Sequence, residues 1–157
     1  MFKILKNTFL VVILGIFISA CSTTAKKSKS ASAGDVYTGT DTVKYLATGV
    51  ADRVFFATNS TGLTSAAKAT LTKQAGYIKA SKISVVIEGH ADERGTREYN
   101  LALGERRANA ARDYLMAKGI AKSSIKVISY GKERPANTES SKLAWSQNRR
   151  SVTVKAN

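Results

Sequence analysis

Between Glu88 and Leu115 the sequence reads EGHADERGTREYNLALGERRANAARDYL. It gathers a histidine, the adjacent acids Asp92 and Glu93, the Tyr99–Asn100 step and the arginine pair Arg106–Arg107. Residues of these types serve hydrolysis, metal binding, polyanion binding or the ionic grip of a charged ligand. His90 is the only histidine and Cys21 the only cysteine, so "HADE" offers one imidazole and two acids, a poor ligand set for zinc. Neighbouring residues in extended chain point apart, whereas the two carboxyl groups of a glycoside hydrolase flank one bond. Asp92 and Glu93 therefore make a poor catalytic pair, and no serine or cysteine has a histidine partner assigned by pattern. No metal, no cofactor and no enzymatic activity are expected.

Ionic recognition fits better. On a helical wheel at about 100° per residue, Leu101, Gly104, Ala108, Ala111 and Leu115 form a narrow stripe of mostly small residues, which lets a helix sit close on a sheet. Arg107 lies about 70° from the middle of that stripe and Arg106 about 170° from it. Arg106 is thus expected in solvent, and Arg107 at the boundary with its guanidinium held in place. A fixed guanidinium can grip a carboxylate through two parallel hydrogen bonds. Asp92 follows a run of buried-strand character, in a loop of the kind that carries binding residues. One negative and one positive group beside a helix N-terminus would suit a zwitterion.

These groups need a scaffold. "RVFFAT", Arg53 to Thr58, reads as a strand closed by the turn-prone "NSTG". Thr64 is a plausible N-cap for a helix whose Leu63, Ala67, Leu71, Gln74 and Ile78 recur at helical spacing. "KISVVIEGH" reads as a strand buried on both faces. Asn100 is placed to cap a second helix running to about Lys118, with Gly119 as its stop. "SIKVISYG" is a strand, "SSKLAWSQN" a short helix or turn, and "RRSVTVKA" a last strand with Val152 and Val154 on one side. The order βαβα followed by two strands predicts an α+β fold, a two-layer sandwich with helices on one face of a mixed sheet.

The N-terminus bears on location. Lys3 and Lys6 precede nine apolar or glycine residues, Phe9 to Phe17, and then "ISAC". That run is too short to span a bilayer, which needs roughly 20 residues, and reads as a signal segment. Ser22 to about Asp41 is rich in Ser, Thr, Ala, Gly and Lys, a composition expected to stay a flexible tether. The formal net charge is +14, and +12 without Lys3 and Lys6. So basic a chain raises nucleic acid as a partner, but an exported protein does not meet nucleic acid. Carboxylates of the cell wall and anionic lipid remain as its polyanions.

The quoted stretch, with "SYGKERPA" and "NRRSV" after it, resembles the OmpA-like C-terminal domain family over about Arg53 to Lys155, in particular its peptidoglycan-associated lipoproteins. "ISAC" resembles the lipobox of bacterial lipoproteins, which implies acylation of Cys21. Serine rather than aspartate at position 22 implies the outer membrane, with the domain facing the periplasm. The implied organisation is a lipoprotein signal peptide at 1–20, the lipidated cysteine and flexible tether at 21–44, and an OmpA-like peptidoglycan-binding domain at 45–157. The implied function is noncovalent binding of peptidoglycan through meso-diaminopimelate, tethering the outer membrane to the wall as part of the Tol-Pal system. By motif, Asp92 falls on the acid that takes the ligand ammonium and Arg107 on the arginine that takes a carboxylate. Asn100 and Tyr99 match the family's asparagine and tyrosine, and "NRR" supplies Arg149 and Arg150, at least one of which braces the site. Where the family carries Phe-Asp after the first strand, this chain has Thr58 and Asn59, so Asn59 would bring a hydrogen bond without a charge. TolB and the other Tol proteins are the implied partners, with Glu93 and Arg94 on the exposed loop serving TolB. The alternatives are a wall-anchoring lipoprotein outside the Tol-Pal system and a peptidoglycan hydrolase.

Overall fold

Thr64 caps the first helix as its residue type predicts, its hydroxyl accepting from the Ala67 N–H at 3.1 Å. Helix α1, Ser65–Ser81, then turns Ala67, Leu71, Gln74, Ala75 and Ile78 inward. The computed structural model describes residues 35–156; the expected signal segment, Cys21 and the start of the tether lie outside them. Before α1 come β1 (Tyr45–Ala47), β2 (Val50–Ala51) and β3 (Arg53–Phe55). After it come β4 (Val85–His90), α2 (Arg97–Ala117), β5 (Ile125–Gly131), α3 (Lys142–Asn148) and β6 (Arg150–Lys155). The four-stranded sheet has the order β3-β6-β4-β5, with β4 and β5 parallel and β6 antiparallel to both β3 and β4. A parallel pair needs a crossover connection, and α2 supplies it. Leu71 and Ile78 of α1 and Ala108, Ala111 and Leu115 of α2 pack with Val54, Phe56, Val85 and Ile87 into one core on one sheet face. This is the two-layer α+β sandwich on a mixed sheet that the element order predicts.

The differences have local causes. The β1–β2 hairpin goes unread because two strands of three and two residues carry too little alternation to register. Val85 and Ile87 are fully buried under the helices, but Val86 and Glu88 are only half-buried, so β4 is not covered on both faces. Val152 and Val154 pair with Glu88 and Val86 on that open side. The helix side of β6 instead presents Thr153, whose hydroxyl donates to Gln74 Oε1 at 2.8 Å. Residues 35–44, assigned to the tether by composition, lie against the domain: Tyr37 is buried with its ring edge-on to Phe55 at 4.8 Å.

Helix α2 begins a turn earlier than expected. Thr96, not Asn100, is its N-cap, accepting from the Tyr99 N–H at 3.2 Å. Leu101 is 49% exposed, and Leu103 takes its place in the buried stripe. The Leu101 backbone is pressed against β5, its carbonyl accepting from Ser129 Oγ at 2.6 Å and its N–H lying beside Gly131, so its side chain leaves outward. The approach is closest at Gly89, where a Cβ would fall 1.9 Å from the Gly104 carbonyl oxygen. Gly89→Ala would have to push the helix off the sheet, and overpacking of this kind commonly costs about 3 kcal/mol at the upper end of its range. Thermal melts are expected to show a midpoint lower by roughly 10 °C; an unchanged midpoint would contradict the close approach.

Candidate functional site

β4 stops at His90, and the next residues carry the chain over the N-terminus of α2. Asp92 is 7% exposed at that point. Its carboxylate accepts from Arg94 three times: from the backbone N–H at 3.2 Å, Nε at 3.1 Å and Nη2 at 2.7 Å. Arg149 Nη1 approaches the same carboxylate at 3.4 Å. Burial works against ionisation of Asp92, but the hydrogen bonds and charge of Arg94, with Arg149 behind them, hold its carboxyl below the usual carboxylate range.

Arg107 is wholly buried rather than at the boundary, while Arg106 is exposed as expected. The guanidinium is fixed by backbone: Nε donates to Ser60 O at 3.0 Å, Nη1 to His90 O at 2.9 Å and Nη2 to Ala57 O at 3.1 Å. The Ala57 and Ser60 carbonyls are presented by the chain as it leaves the sheet after Phe55 and turns, Asn59 taking a positive φ of 48°, and the His90 carbonyl by the end of β4. A guanidinium carries five N–H donors, so with three engaged two remain. Burial, then the charge of Arg149, lowers the Arg107 pKa to about 10, which leaves it cationic at neutral pH. Asp92 and Arg107 line one cleft of about 260 Å³ with Thr58, Asn59, Arg94 and Tyr99 among its other walls. A larger groove of about 480 Å³, between residues 36–45 and α1, has a single charged side chain in its lining, Arg53, which is paired with Asp52.

The remaining expected residues divide between this cleft and other duties. Tyr99 is 43% exposed and its hydroxyl donates to Asn59 Oδ1, closing one side of the mouth. Asn100 is buried and donates its amide to Arg94 O at 2.8 Å, which shapes the loop. Arg149 ends α3 and Arg150 begins β6, and the two arginines of "NRR" go to different sides. Arg149 reaches the socket; Arg150 faces the open side of the sheet and donates to Arg134 O at 3.0 Å, so it is not brought to the cleft. His90 also turns to that side, stacked near Tyr130 at 5.6 Å. Its burial, then the charges of Arg150, Arg53 and Arg134, lower its pKa to about 3, so it is neutral at ordinary pH. Glu93 and Arg94 are exposed but engaged: Glu93 accepts from Trp145 Nε1 at 2.8 Å and from Ser140, and the Arg94 guanidinium lies 4.3 Å from the Trp145 ring centre.

Two groups at the site escape sequence reasoning. Arg94 covers Asp92, a pairing that the spacing of two residues allows but does not announce. Asp35 enters from the presumed tether, its carboxylate accepting from Arg149 Nη2 at 2.9 Å and from the Thr58 N–H at 2.7 Å. A lone acid in a polar segment carries no pattern; the neighbouring Val36–Tyr37 step was the available signal. Together the site holds three guanidinium groups (Arg94, Arg107, Arg149) and two carboxylates (Asp35, Asp92), leaving an excess of one positive charge beside the charge pair.

Residues 55–149 match the OmpA family. A peptidoglycan-associated lipoprotein of Mesorhizobium japonicum is 56% identical over 106 residues, which are 67% of this chain and 63% of that protein. One of Brucella melitensis is 41% identical over 151 residues, covering 92% of this chain and 89% of that protein. The crystal structure of the peptidoglycan-associated lipoprotein from Burkholderia pseudomallei superposes with a TM-score of 0.65 at 37% identity, over 67% of this chain and 90% of that one.

Proposed function

The chain belongs to the OmpA family, and on that premise we propose that it is a cell-envelope lipoprotein that binds peptidoglycan noncovalently and ties the outer membrane to the wall. The observation that carries this reading is the pairing of a buried, ionised Asp92 with a buried, backbone-fixed Arg107 in one cleft. The ligand is the meso-diaminopimelate residue of the peptide stem: its ammonium takes the Asp92 carboxylate, and a carboxylate takes the two remaining N–H groups of Arg107. Fixed, desolvated donors and acceptors favour one geometry of one charged ligand over any other polyanion. Asp92 is bracketed by arginines and Glu93 is turned toward Trp145, so the two acids do not flank a common bond, which supports binding over hydrolysis. Purified chain incubated with diaminopimelate-containing sacculi should sediment with them; a chain that stays in the supernatant at low salt would overturn the reading.

The domain at 45–157 is the wall-binding unit, preceded by a signal peptide at 1–20 and a lipidated tether at 21–44. Among the described residues no helix is long and apolar enough to cross a membrane, and the anchor proposed is an acylated Cys21. Two or three acyl chains hold a protein on a bilayer firmly where a basic patch alone does not. Cys21→Ser is therefore expected to leave the outer-membrane fraction after a high-salt wash; a variant that still sediments with the membrane would rule out acylation as the reason. Membership of the Tol-Pal system, with TolB meeting the 93–95 loop and its Trp145 support, is the partner reading that accompanies this function.

A further inference from the structure

Arg149 is 2% exposed, and the opening over its guanidinium is filled by the half-exposed Asp35. Arg149 Nε is held by Phe56 O at 3.0 Å and its Nη1 lies 3.4 Å from Asp92. Nη2 is left to meet whatever stands at the opening. In the free chain that is Asp35: Nη2 donates to its backbone carbonyl at 2.5 Å and to its carboxylate at 2.9 Å. The other carboxylate oxygen accepts the Thr58 N–H, and Thr58 itself lines the Asp92–Arg107 cleft. One recessed guanidinium nitrogen and a backbone N–H thus take the two oxygens of one carboxylate. The present occupant is half in solvent, with the Asp35 side chain 47% exposed.

We propose that Arg149 and the Thr58 N–H form a second carboxylate subsite next to the Asp92–Arg107 cleft, that Asp35 fills it in the free chain, and that a carboxylate of the bound wall peptide displaces Asp35. The proposal rests on the wall-peptide reading above. Only the end of the segment has to lift. Tyr37 stays packed on Phe55, and Asp41 is held by Gln147 Nε2 at 2.7 Å. Asp35 lies fourteen residues after Cys21 (35 − 21), so wall binding frees the domain end of the membrane tether, adding reach when the socket is filled. An intramolecular competitor acts at an effective concentration in the millimolar range, and removing it raises apparent affinity by the reciprocal of the fraction of time the site stood open. A gain of about tenfold is expected for Asp35→Asn.

The test uses the full-length chain in detergent micelles and the diaminopimelate-containing tetrapeptide stem as probe. Trp145, the only tryptophan, stacks under Arg94 at the mouth and reports binding by fluorescence. Asp35→Asn is compared with Glu105→Gln, which removes the same charge from the exposed face of α2. Hydrogen exchange is followed at residues 35 and 36 and at the Thr58 amide. The expected result is tighter binding by Asp35→Asn alone, faster exchange at 35 and 36 when the parent is saturated, and a Thr58 amide that stays protected under ligand. If the parent binds the stem but Asp35→Asn binds no better than Glu105→Gln, or exchange at 35 and 36 is unchanged at saturation, the subsite is wrong and the wall-binding reading survives. If neither parent nor variant binds the stem, both fall together.

Discussion

Asp92→Ala is expected to lower the affinity of the purified chain for diaminopimelate-containing sacculi by roughly thirty-fold to several thousand-fold, the range that follows from losing one partner of a close, desolvated charge pair. The carboxylate is 7% exposed, so water screens it little. Its removal also leaves Arg94 and Arg149, both now paired to Asp92, as two cations facing the incoming ammonium. Asp92→Asn keeps the shape and removes the charge, and the same loss is expected from it. Pull-down across a series of sacculus concentrations measures the effect, with circular dichroism checking that the fold persists. Binding that survives either substitution would remove Asp92 from the socket. The pH dependence has a defined sign. Because the folded carboxyl titrates below its ordinary value, the charge needed for binding persists through mildly acidic solution. It is lost only as pH falls through the lowered folded pKa. Loss of binding already between about pH 6 and 5, above the ordinary aspartate range, would contradict the pairing.

Arg107→Ala is expected to fail first as a folding variant. Its guanidinium donates to Ser60 O, His90 O and Ala57 O and ties the turn after β3 to the end of β4 and to α2. Ala57 O keeps the Ser60 N–H at 3.2 Å, but a buried acceptor left without a donor costs about 1–3 kcal/mol, and the two losses at Ser60 O and His90 O together come to roughly 4 kcal/mol. That is a large part of the 5–15 kcal/mol by which a domain of this kind is stable. Thermal melts are expected to fall by roughly 15 °C or more, and Arg107→Lys to recover only part of the loss, since a lysine ammonium cannot span three diverging carbonyls. Arg106→Ala, on the exposed face, should melt like the parent. A melting point within a few degrees of the parent for Arg107→Ala would mean that Ser60 O and His90 O find other donors.

The fate of Arg107 also marks how far sequence reasoning reaches. Its wheel position separates it from Arg106 and brings it toward the sheet, because burial of an amphipathic face follows helical period. That it lies fully inside follows from the backbone carbonyls of Ser60, His90 and Ala57, whose directions no side-chain pattern encodes. Leu101 and Leu103 exchange roles for a related reason: the line of closest approach is set by Gly89 against Gly104, a contact made by absent side chains. Thr96 and Asn100 are both competent caps, and the choice depends on Asn100 having a better use inside, holding the Arg94 carbonyl. Arg149 ends α3 and Arg150 begins β6, and the two go to different sides. Which one faces the socket depends on the register of β6 against β3 and β4, a long-range property. Asp35 is the extreme case, an acid in a segment of disordered composition whose place is decided by a guanidinium 114 residues away.

The most direct measurement is the binding of the purified parent chain to two walls that differ in one group: sacculi carrying meso-diaminopimelate and sacculi carrying lysine at the same stem position. Lysine keeps the ammonium for Asp92 and lacks the terminal carboxylate for Arg107. The socket predicts binding to the lysine wall weaker by roughly tenfold or more at physiological salt, the loss expected when a buried, charged donor is left without its partner. Equal binding to both walls, weakened in parallel by added salt, would instead mean diffuse attraction to a chain of formal charge +12 after removal of Lys3 and Lys6 from the +14 total, and would contradict a specific site at Asp92 and Arg107.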